Sequence, residues 1–488
     1  MNVFILTEAG QKVGFGHLSR CSGVYDAFVK RGIKPRMIVN GDDGVREFLK
    51  GVRHEIFDWL ESFQELLSRI AGADIVLIDS YLADQDKYHD IAATVSLVAC
   101  VDDYKRIRYP QGVVINGLIY APQMKYPRVK DIEYLLGTRY AFLRKAFWDA
   151  TRKEISAQVK NVFVTFGGSD FLNLAPSTLT KLIKHYPDIQ KTLVVSRFYN
   201  NIPAIQKAAD CHTKIVVDVS DREMRKLMLK ADVAISASGQ TLSELAILGV
   251  PGVAVCVAEN QRRNWKAWTS RGFVAAEPNA DSVVEGLQKL KLRQVRQKSS
   301  AQLRQSISSS GVLAIVDAVI RKASQVRKNR QHAAQRFEIR KVKKEDCRDI
   351  WLWRNTHQAR RASFQSETIS YNQHEQWFQK KLSDRNSQLW MAETPGKKIG
   401  YVRHDTEENQ AVSSIVLNPQ FYGMGLGTKV ISAADRRFLK LKKVPRVICA
   451  EIQNNHPASI QAFLSAGYRL KKRIVRNGKK AGVYQWQS

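Results

Sequence analysis

Residues 14–20 read Gly14-Phe15-Gly16-His17-Leu18-Ser19-Arg20, downstream of the apolar run Val3-Phe4-Ile5-Leu6. The pattern predicts a buried strand, a glycine-rich bend and a helix that opens on a histidine. Gly14 and Gly16 let the backbone come close to a ligand, and a helix start offers unpaired N–H groups to an anion. His17 then stands beside that anion with an imidazole that can be neutral near pH 7. A phosphate-bearing substrate next to a base is the chemistry this implies. A histidine at a helix start can equally be a surface cap or a satisfied core residue, and the motif alone leaves both open.

Outward from this motif, strand-like and helix-like patches alternate through the first 150 residues. Arg36–Val39, Ile75–Ile78 and Val95–Val101 read as further strands, and Leu18–Lys30 and Phe57–Ile70 as helices. Such alternation predicts a parallel sheet with helices on both faces. The pattern restarts at Val162–Phe166, followed by Gly167-Gly168-Ser169-Asp170. It continues through Thr192–Val195, Lys214–Val217, Val233–Ile235 and Val253–Val257. Two nucleotide-fold halves, 1–150 and 151–325, imply a cleft between them. Lys289 to Arg330 holds eleven Lys/Arg against the single Asp317. An apolar helix over Val312–Ile320 closes the second half, 326–336 reads as a basic linker, and Phe337-Glu338-Ile339-Arg340 begins a new unit.

The length of 488 residues suggests about three domains. With 44% hydrophobic and 25% charged residues the composition is that of a soluble globular protein. The start lacks a secretory pattern, and no run of about 18 apolar residues predicts a membrane span. Cys21, Cys100, Cys211, Cys256, Cys347 and Cys449 form no C-x-x-C pair, which points to reduced thiols and a cytoplasmic protein. The net charge of +31 admits a solvated basic surface, peripheral contact with an anionic membrane, or attraction of polyanionic substrates. No nucleic-acid-binding signature accompanies it, so no nucleic acid is expected. Asp42-Asp43 and Asp102-Asp103 follow apolar strands and read as turn formers, and His54, His89 and His212 are isolated, so no metal is expected.

The segment Ser236-Ala237-Ser238-Gly239-Gln240-Thr241-Leu242-Ser243-Glu244 again ends a strand and opens a helix. Ser238, Gly239 and Thr241 put small side chains and N–H groups where a pyrophosphate fits. Glu244, one turn on, can accept from a ribose diol or can serve Thr241 as a capping carboxylate. These motifs, with Ile78-Asp79-Ser80-Tyr81, Gly137–Arg144, Thr165–Asp170 and Asn260-Gln261, make the chain to about residue 325 resemble the UDP-sugar hydrolases of pseudaminic acid biosynthesis. That family shares the glycosyltransferase-B fold and is distantly similar to MurG-type glycosyltransferases. The resemblance implies metal-free attack of water on the anomeric carbon of a UDP-2,4-diacetamido-2,4,6-trideoxy sugar. It also implies that His17 is catalytic and that Tyr81 and Asn260 line its site. Gly14, Gly16, Arg20, Ser238, Gly239, Thr241 and Glu244 would hold UDP.

Beyond Phe337 the key segment is Leu417-Asn418-Pro419-Gln420-Phe421-Tyr422-Gly423-Met424-Gly425-Leu426-Gly427-Thr428. Its glycines permit a loop whose N–H groups converge on a pyrophosphate, with a helix dipole behind them. This part resembles GNAT-type N-acetyltransferases, an α+β fold with a mixed sheet. The resemblance implies acetyl-CoA as co-substrate, held by Leu417, Gln420, Gly423, Gly425, Gly427, Thr428, Asn455 and Ser459. Phe463 stands where the family often has an acidic tyrosine, which leaves water, Tyr468 or no protein acid to protonate the thiolate. His374, beside Trp377 and Phe378, reads as structural. The combined expectation is an α/β chain: two Rossmann-like halves, the linker, and an acetyltransferase domain over 337–488. Its expected substrates are UDP-amino sugars, with a MurG-like glycosyltransferase or a legionaminic or spore-coat sugar enzyme as the alternatives.

Overall fold

A computed structural model describes all residues except 11–12, 150–152, 169, 198, 200, 334–335 and 488, and except the side chains of 43, 47 and 331–333. The first sheet contains β1 (Val3–Ala9), β2 (Arg36–Gly41), β3 (His54–Ile56), β4 (Ile75–Asp79), β5 (Val98–Val101), β6 (Gly112–Asn116) and β7 (Ile132–Leu136). Their order is β3-β2-β1-β4-β5-β6-β7, and every pairing is parallel. β1, β4, β5 and β6 are buried from end to end, as a sheet covered on both faces requires. Strand order reverses between β1 and β4. A crevice opens at the carboxyl ends of strands at such a switch point.

The second sheet repeats the plan. β8 (Asn161–Thr165), β9 (Gln190–Val195), β10 (Thr213–Val217), β11 (Val233–Ala237), β12 (Gly252–Val255) and β13 (Val274–Ala276) run parallel in the order β10-β9-β8-β11-β12-β13. Its switch point lies between β8 and β11. The third sheet is mixed: β14 (Glu338–Lys341), β15 (Ser387–Thr394), β16 (Lys397–Glu407), β17 (Gln410–Leu417), β18 (Val447–Gln453), β19 (Arg469–Arg476) and β20 (Lys479–Gln487), in the order β14-β15-β16-β17-β18-β20-β19. All its pairings are antiparallel except β17 with β18.

The sequence reading of a linker at 326–336 needs correction. The helix expected over Val312–Ile320 runs from Gly311 to Ala333. Val312, Ile315, Val316, Val319 and Ala323 continue one apolar stripe, and Arg321, Arg327 and Lys328 lie exposed outside it while Arg330 is buried. This helix returns to the first sheet region. A Cβ on Gly311 would stand 2.5 Å from the Ala141 carbonyl oxygen, and Asp317 accepts from Arg31 at 2.7 and 2.8 Å. Near its end the Arg330 guanidinium lies over the Phe421 ring. The helix expected over Phe57–Ile70 begins only at Phe63, because Trp59 sits in the preceding turn and donates to the Thr7 carbonyl at 3.2 Å.

Candidate functional site

At the first switch point β1 and β4 lie in register, with Thr7 opposite Asp79. Glu8 and Ser80–Tyr81 therefore emerge side by side at the strand ends. The helix Gly16–Lys30 starts over them, and its N-cap position, Phe15, makes no side-chain cap bond. Gly14 has φ of +81°, and a Cβ on Gly14 or Gly16 would meet no atom within 4 Å. Packing does not require these glycines to be small; they keep the backbone bare toward open space.

The His17 imidazole is 6% exposed. Its Nδ1 lies 2.7 Å from Asp79 Oδ1 and its Nε2 3.9 Å from Glu8 Oε1. Its ring meets Tyr81 edge-on at 4.4 Å. Asp79 is fully buried. Burial would raise its carboxyl, but Arg20 and His17 outweigh that and hold it well below the usual carboxylate range. An ionised Asp79 is acceptor-only, so the shorter contact on Nδ1 favours a ring proton there, although Arg20 Nη2 also lies 3.1 Å from Nδ1; in that tautomer of the neutral ring Nε2 is the free base. Arg20 does not face open solvent. It donates Nε and Nη2 to Asp79 and Nη1 to Asp103 at 2.7 Å. Tyr81 donates its hydroxyl to Asp103. Burial and then Asp103 push that phenol far up, so Tyr81 stays protonated. Asp103 is thus more than the turn former expected from sequence, whereas Asp102 caps the turn at Lys105 and Asp42 that at Gly44.

Across the cleft, Asn260 is exposed on a short turn, Glu259–Gln261. The Tyr104 ring tilts against that of Tyr81 at 5.6 Å; burial raises its phenol, and Tyr81 and Asn260 pull it partly back, so Tyr104 lies near both. At the second switch point the helix Thr241–Leu248 starts without a side-chain cap, and a Cβ on Gly167, Gly168 or Gly239 would again meet nothing within 4 Å. Ser169 lies outside the described residues. Ser238 is buried and donates its hydroxyl to the Val255 carbonyl at 2.9 Å. Glu244 makes no capping box. It is 2% exposed and accepts both forks of Arg144, at 2.6 and 2.7 Å. Arg144 comes from the first half and also reaches Asp221, so it clamps the two halves together. Sequence reasoning missed Arg144, Glu8, Asp79 and Tyr104 as site residues. The position of Asp79 and Glu8 at the ends of buried strands was the available signal.

In the third sheet β17 and β18 pair only over Gln410–Val412 with Val447–Cys449 and then separate. The gap opens toward Leu417, the last residue of β17, and toward Asn455, which is exposed. Gly423 and Gly425 both have φ of +70° with open space at Cβ, and the helix Leu426–Leu439 follows. Gly427 permits close approach to Ala462, whose carbonyl accepts from Thr428 at 3.3 Å. Ser459 Oγ lies 2.8 Å from His456 Nδ1.

Gln420 departs from its expected place on the cofactor. Its amide donates to the carbonyls of Ala92 and Ala93 in the first domain, at 3.0 and 2.8 Å. Tyr468 is also removed as an acid: it is 1% exposed, and its hydroxyl donates to Asp435 at 2.9 Å. Phe463 packs edge-on against it. His374 is buried against Trp377 and Phe378.

Among the described residues no group of three His, Cys, Asp or Glu side chains is arranged to hold a metal ion, and no helix is long and apolar enough to cross a membrane. Cys21, Cys100, Cys347 and Cys449 are buried free thiols, while Cys211 is exposed.

Comparison with known proteins adds to this geometry. Residues 336–469 match the family described as acetyltransferase (GNAT) domain. A Helicobacter pylori protein named pseudaminic acid cytidylyltransferase and UDP-2,4-diacetamido-2,4,6-trideoxy-beta-L-altropyranose hydrolase is 24% identical over 277 residues, which cover 56% of this chain and 48% of that one. The chain therefore spans about half the length of that relative. The aligned stretch is longer than the acetyltransferase region and so extends into the part of the chain before it. The spore coat polysaccharide biosynthesis protein SpsG of Bacillus subtilis is 23% identical over 286 residues, covering 56% of this chain and 82% of that one. Among solved structures, MurG of Acinetobacter baumannii is similar at 16% identity and a TM-score of 0.48, covering 66% of this chain and 100% of that one. The chain thus joins a two-sheet α/β region to a domain matched by the acetyltransferase (GNAT) model, and over 277 residues it is similar to a protein named for both a cytidylyltransferase and a UDP-sugar hydrolase.

Proposed function

We propose that the chain is a bifunctional nucleotide-sugar enzyme of the cytoplasm. The part up to residue 325 hydrolyses UDP from a UDP-2,4-diacetamido-2,4,6-trideoxy-hexose, and residues 337–488 acetylate the 4-amine of its UDP-amino-sugar precursor with acetyl-CoA. The observation that carries the reading is the buried His17 held through Nδ1 by ionised Asp79, beside bare glycines at a strand switch point.

In the hydrolase, His17 Nε2 takes a proton from water as the oxygen attacks the anomeric carbon. The carbon–oxygen bond to the β-phosphate breaks, and its electron pair leaves on UDP. N–H groups at the starts of the helices Gly16–Lys30 and Thr241–Leu248 face the departing charge. Gly14, Gly16, Ser238, Gly239 and Thr241 contribute these backbone contacts. Arg20 acts through Asp79 and Asp103, and Glu244 reaches a ribose only while sharing its carboxylate with Arg144.

In the acetyltransferase, the neutral sugar amine attacks the thioester carbonyl, the carbon–sulfur bond breaks, the CoA thiolate departs and the amine's proton passes to water. Gly423, Gly425 and Gly427 cradle the pyrophosphate, while Leu417, Thr428, Asn455 and Ser459 border the arm. With Phe463 and Tyr468 unable to donate, water protonates the thiolate.

The test is release of UDP and free sugar by the full chain from the diacetamido UDP-sugar alone, with loss in His17→Ala. Release that appears only after an acceptor sugar is added would make this a glycosyltransferase and overturn the reading. Acetyl-CoA-dependent acetylation of the UDP-4-amino sugar tests the second activity.

A further inference from the structure

His17 lies between two carboxylates, and among the described residues only one of them has a fixed counter-charge. Asp79, on Nδ1, is neutralised by Arg20, which also serves Asp103. Glu8, on the Nε2 side, is fully buried. Its oxygens accept from Tyr81 N–H at 2.7 Å, Ser80 Oγ at 2.5 Å and Leu82 N–H at 3.5 Å. These donors satisfy its lone pairs but carry no charge. Among the described residues no Lys or Arg pairs with Glu8, and the imidazole at 3.9 Å is the one group within ion-pair range that can become a cation. A buried carboxylate without a cation is costly, and that cost falls when a positive charge arrives next to it.

We infer that Glu8 is a positioning residue that stabilises the His17 imidazolium formed when Nε2 takes the proton of the attacking water. This rests on the hydrolase reading above. At 3.9 Å Glu8 is too far to occupy Nε2 by a hydrogen bond, so the base stays free in the resting state. It is also fully buried, which prevents it from binding the attacking water itself. Once Nε2 is protonated, Nε2–H faces Glu8 as Nδ1–H faces Asp79, and the imidazolium lies between two negative groups. When the proton returns to solvent with the products, the pair reverts to its starting charges. Glu8 thus favours a state that exists only during turnover, which is what accelerates the chemical step.

The experiment compares the full-length wild type with Glu8→Gln, Ser80→Ala and His17→Ala in the UDP-release assay. Gln keeps an oxygen for Tyr81 N–H, loses the charge and turns an N–H2 group toward Ser80 Oγ, whose hydroxyl can rotate to accept it. Glu8→Gln is expected to lower kcat on the order of a hundredfold with KM within about threefold. The acid limb of its pH–rate profile should move to lower pH, since Asp79, Arg20 and Tyr81 still adjoin the ring but one negative neighbour is gone. Ser80→Ala loosens the same turn without removing charge, so it reports a purely structural role. Equal loss in Glu8→Gln and Ser80→Ala with unmoved profiles, or full activity in Glu8→Gln, would overturn the inference. Should the wild type itself release no UDP, or His17→Ala retain full activity, the hydrolase reading fails instead.

Discussion

Replacing Asp79 by Asn tests how the base is prepared. Asp79 accepts from four donors: His17 Nδ1 and Arg20 Nη2 on Oδ1, Arg20 Nε and the Cys21 thiol on Oδ2. Asn keeps one acceptor and introduces an N–H2 group that must face donors whichever way the amide turns. With the amide nitrogen toward Oδ1's place, Nδ1 has to become an acceptor, the ring proton moves to Nε2 and the base is lost. A tautomer inversion of this kind costs about 10⁴-fold in the Ser-His-Asp template. With the amide turned the other way the tautomer survives, but a charge-assisted hydrogen bond worth about 1.5–3 kcal/mol becomes a neutral one, roughly 10- to 100-fold. The expected loss in kcat is therefore about 10²–10⁴-fold, with a smaller change in KM, measured as UDP release under substrate saturation. Asp103→Asn is the control, because it shares Arg20 with Asp79 but does not touch His17. A kcat for Asp79→Asn within threefold of wild type in a normally folded protein, or an equal loss in Asp103→Asn, would refute the reasoning.

Three other outcomes follow from the packing. Gly425→Glu places a side chain at φ of +70° and a negative charge at the mouth of the cofactor loop, so acetyl-CoA affinity should fall more than tenfold by calorimetry while UDP release is kept. Arg144→Met leaves Glu244 buried without its cation and should cost about 3–5 kcal/mol of stability in denaturant unfolding; adding Glu244→Leu should restore most of it. Burial pushes His374 down to about 4, below its unfolded value near 6.5. The unfolded state therefore binds the proton first, and stability present above pH 6.5 is lost as pH falls toward 4, by about 3 kcal/mol. His374→Leu should flatten that part of the stability–pH curve, read from urea melts between pH 7.5 and 4.5.

The parts of the fold that sequence made legible were those with a strong local signal. β1, β4, β8 and β11 are continuous apolar runs ending in glycine or small polar residues, and they are the strands flanking the two switch points. In these two sheets β6 was not anticipated despite its buried Val113-Val114-Ile115 run, and neither were β3, β7 and β13. β3, β7 and β13 are edge strands with half-buried, mixed sequences such as His54–Ile56, whose strand state comes from a neighbour rather than from their own pattern. The helix Gly311–Ala333 was cut short for a related reason: its basic residues suggested a solvated linker, while its start at Gly311 and Arg330 near its end meet partners far away at Ala141 and Phe421.

The site was legible to the same extent. The glycine loops and His17 follow from spacing, because backbone approach to an anion is a local property. The carboxylates around His17 do not, since each earns its role from a residue tens of positions away. Asp103 looked like a turn former because its neighbour Asp102 is one, and only the fold brings Arg20 and Tyr81 to it. Gln420 shows the converse. Its place beside the cofactor glycines suggested a ligand contact, yet its amide is spent on Ala92 and Ala93 at the end of the helix Gln85–Thr94. Tyr422, two residues on, packs over Gly72, where an added Cβ would come within 3.0 Å of its ring. The segment that opens the cofactor loop is thus pinned on the first domain from two sides, and the conformation of Gly423–Gly427 depends on a partner that the acetyltransferase motif does not encode.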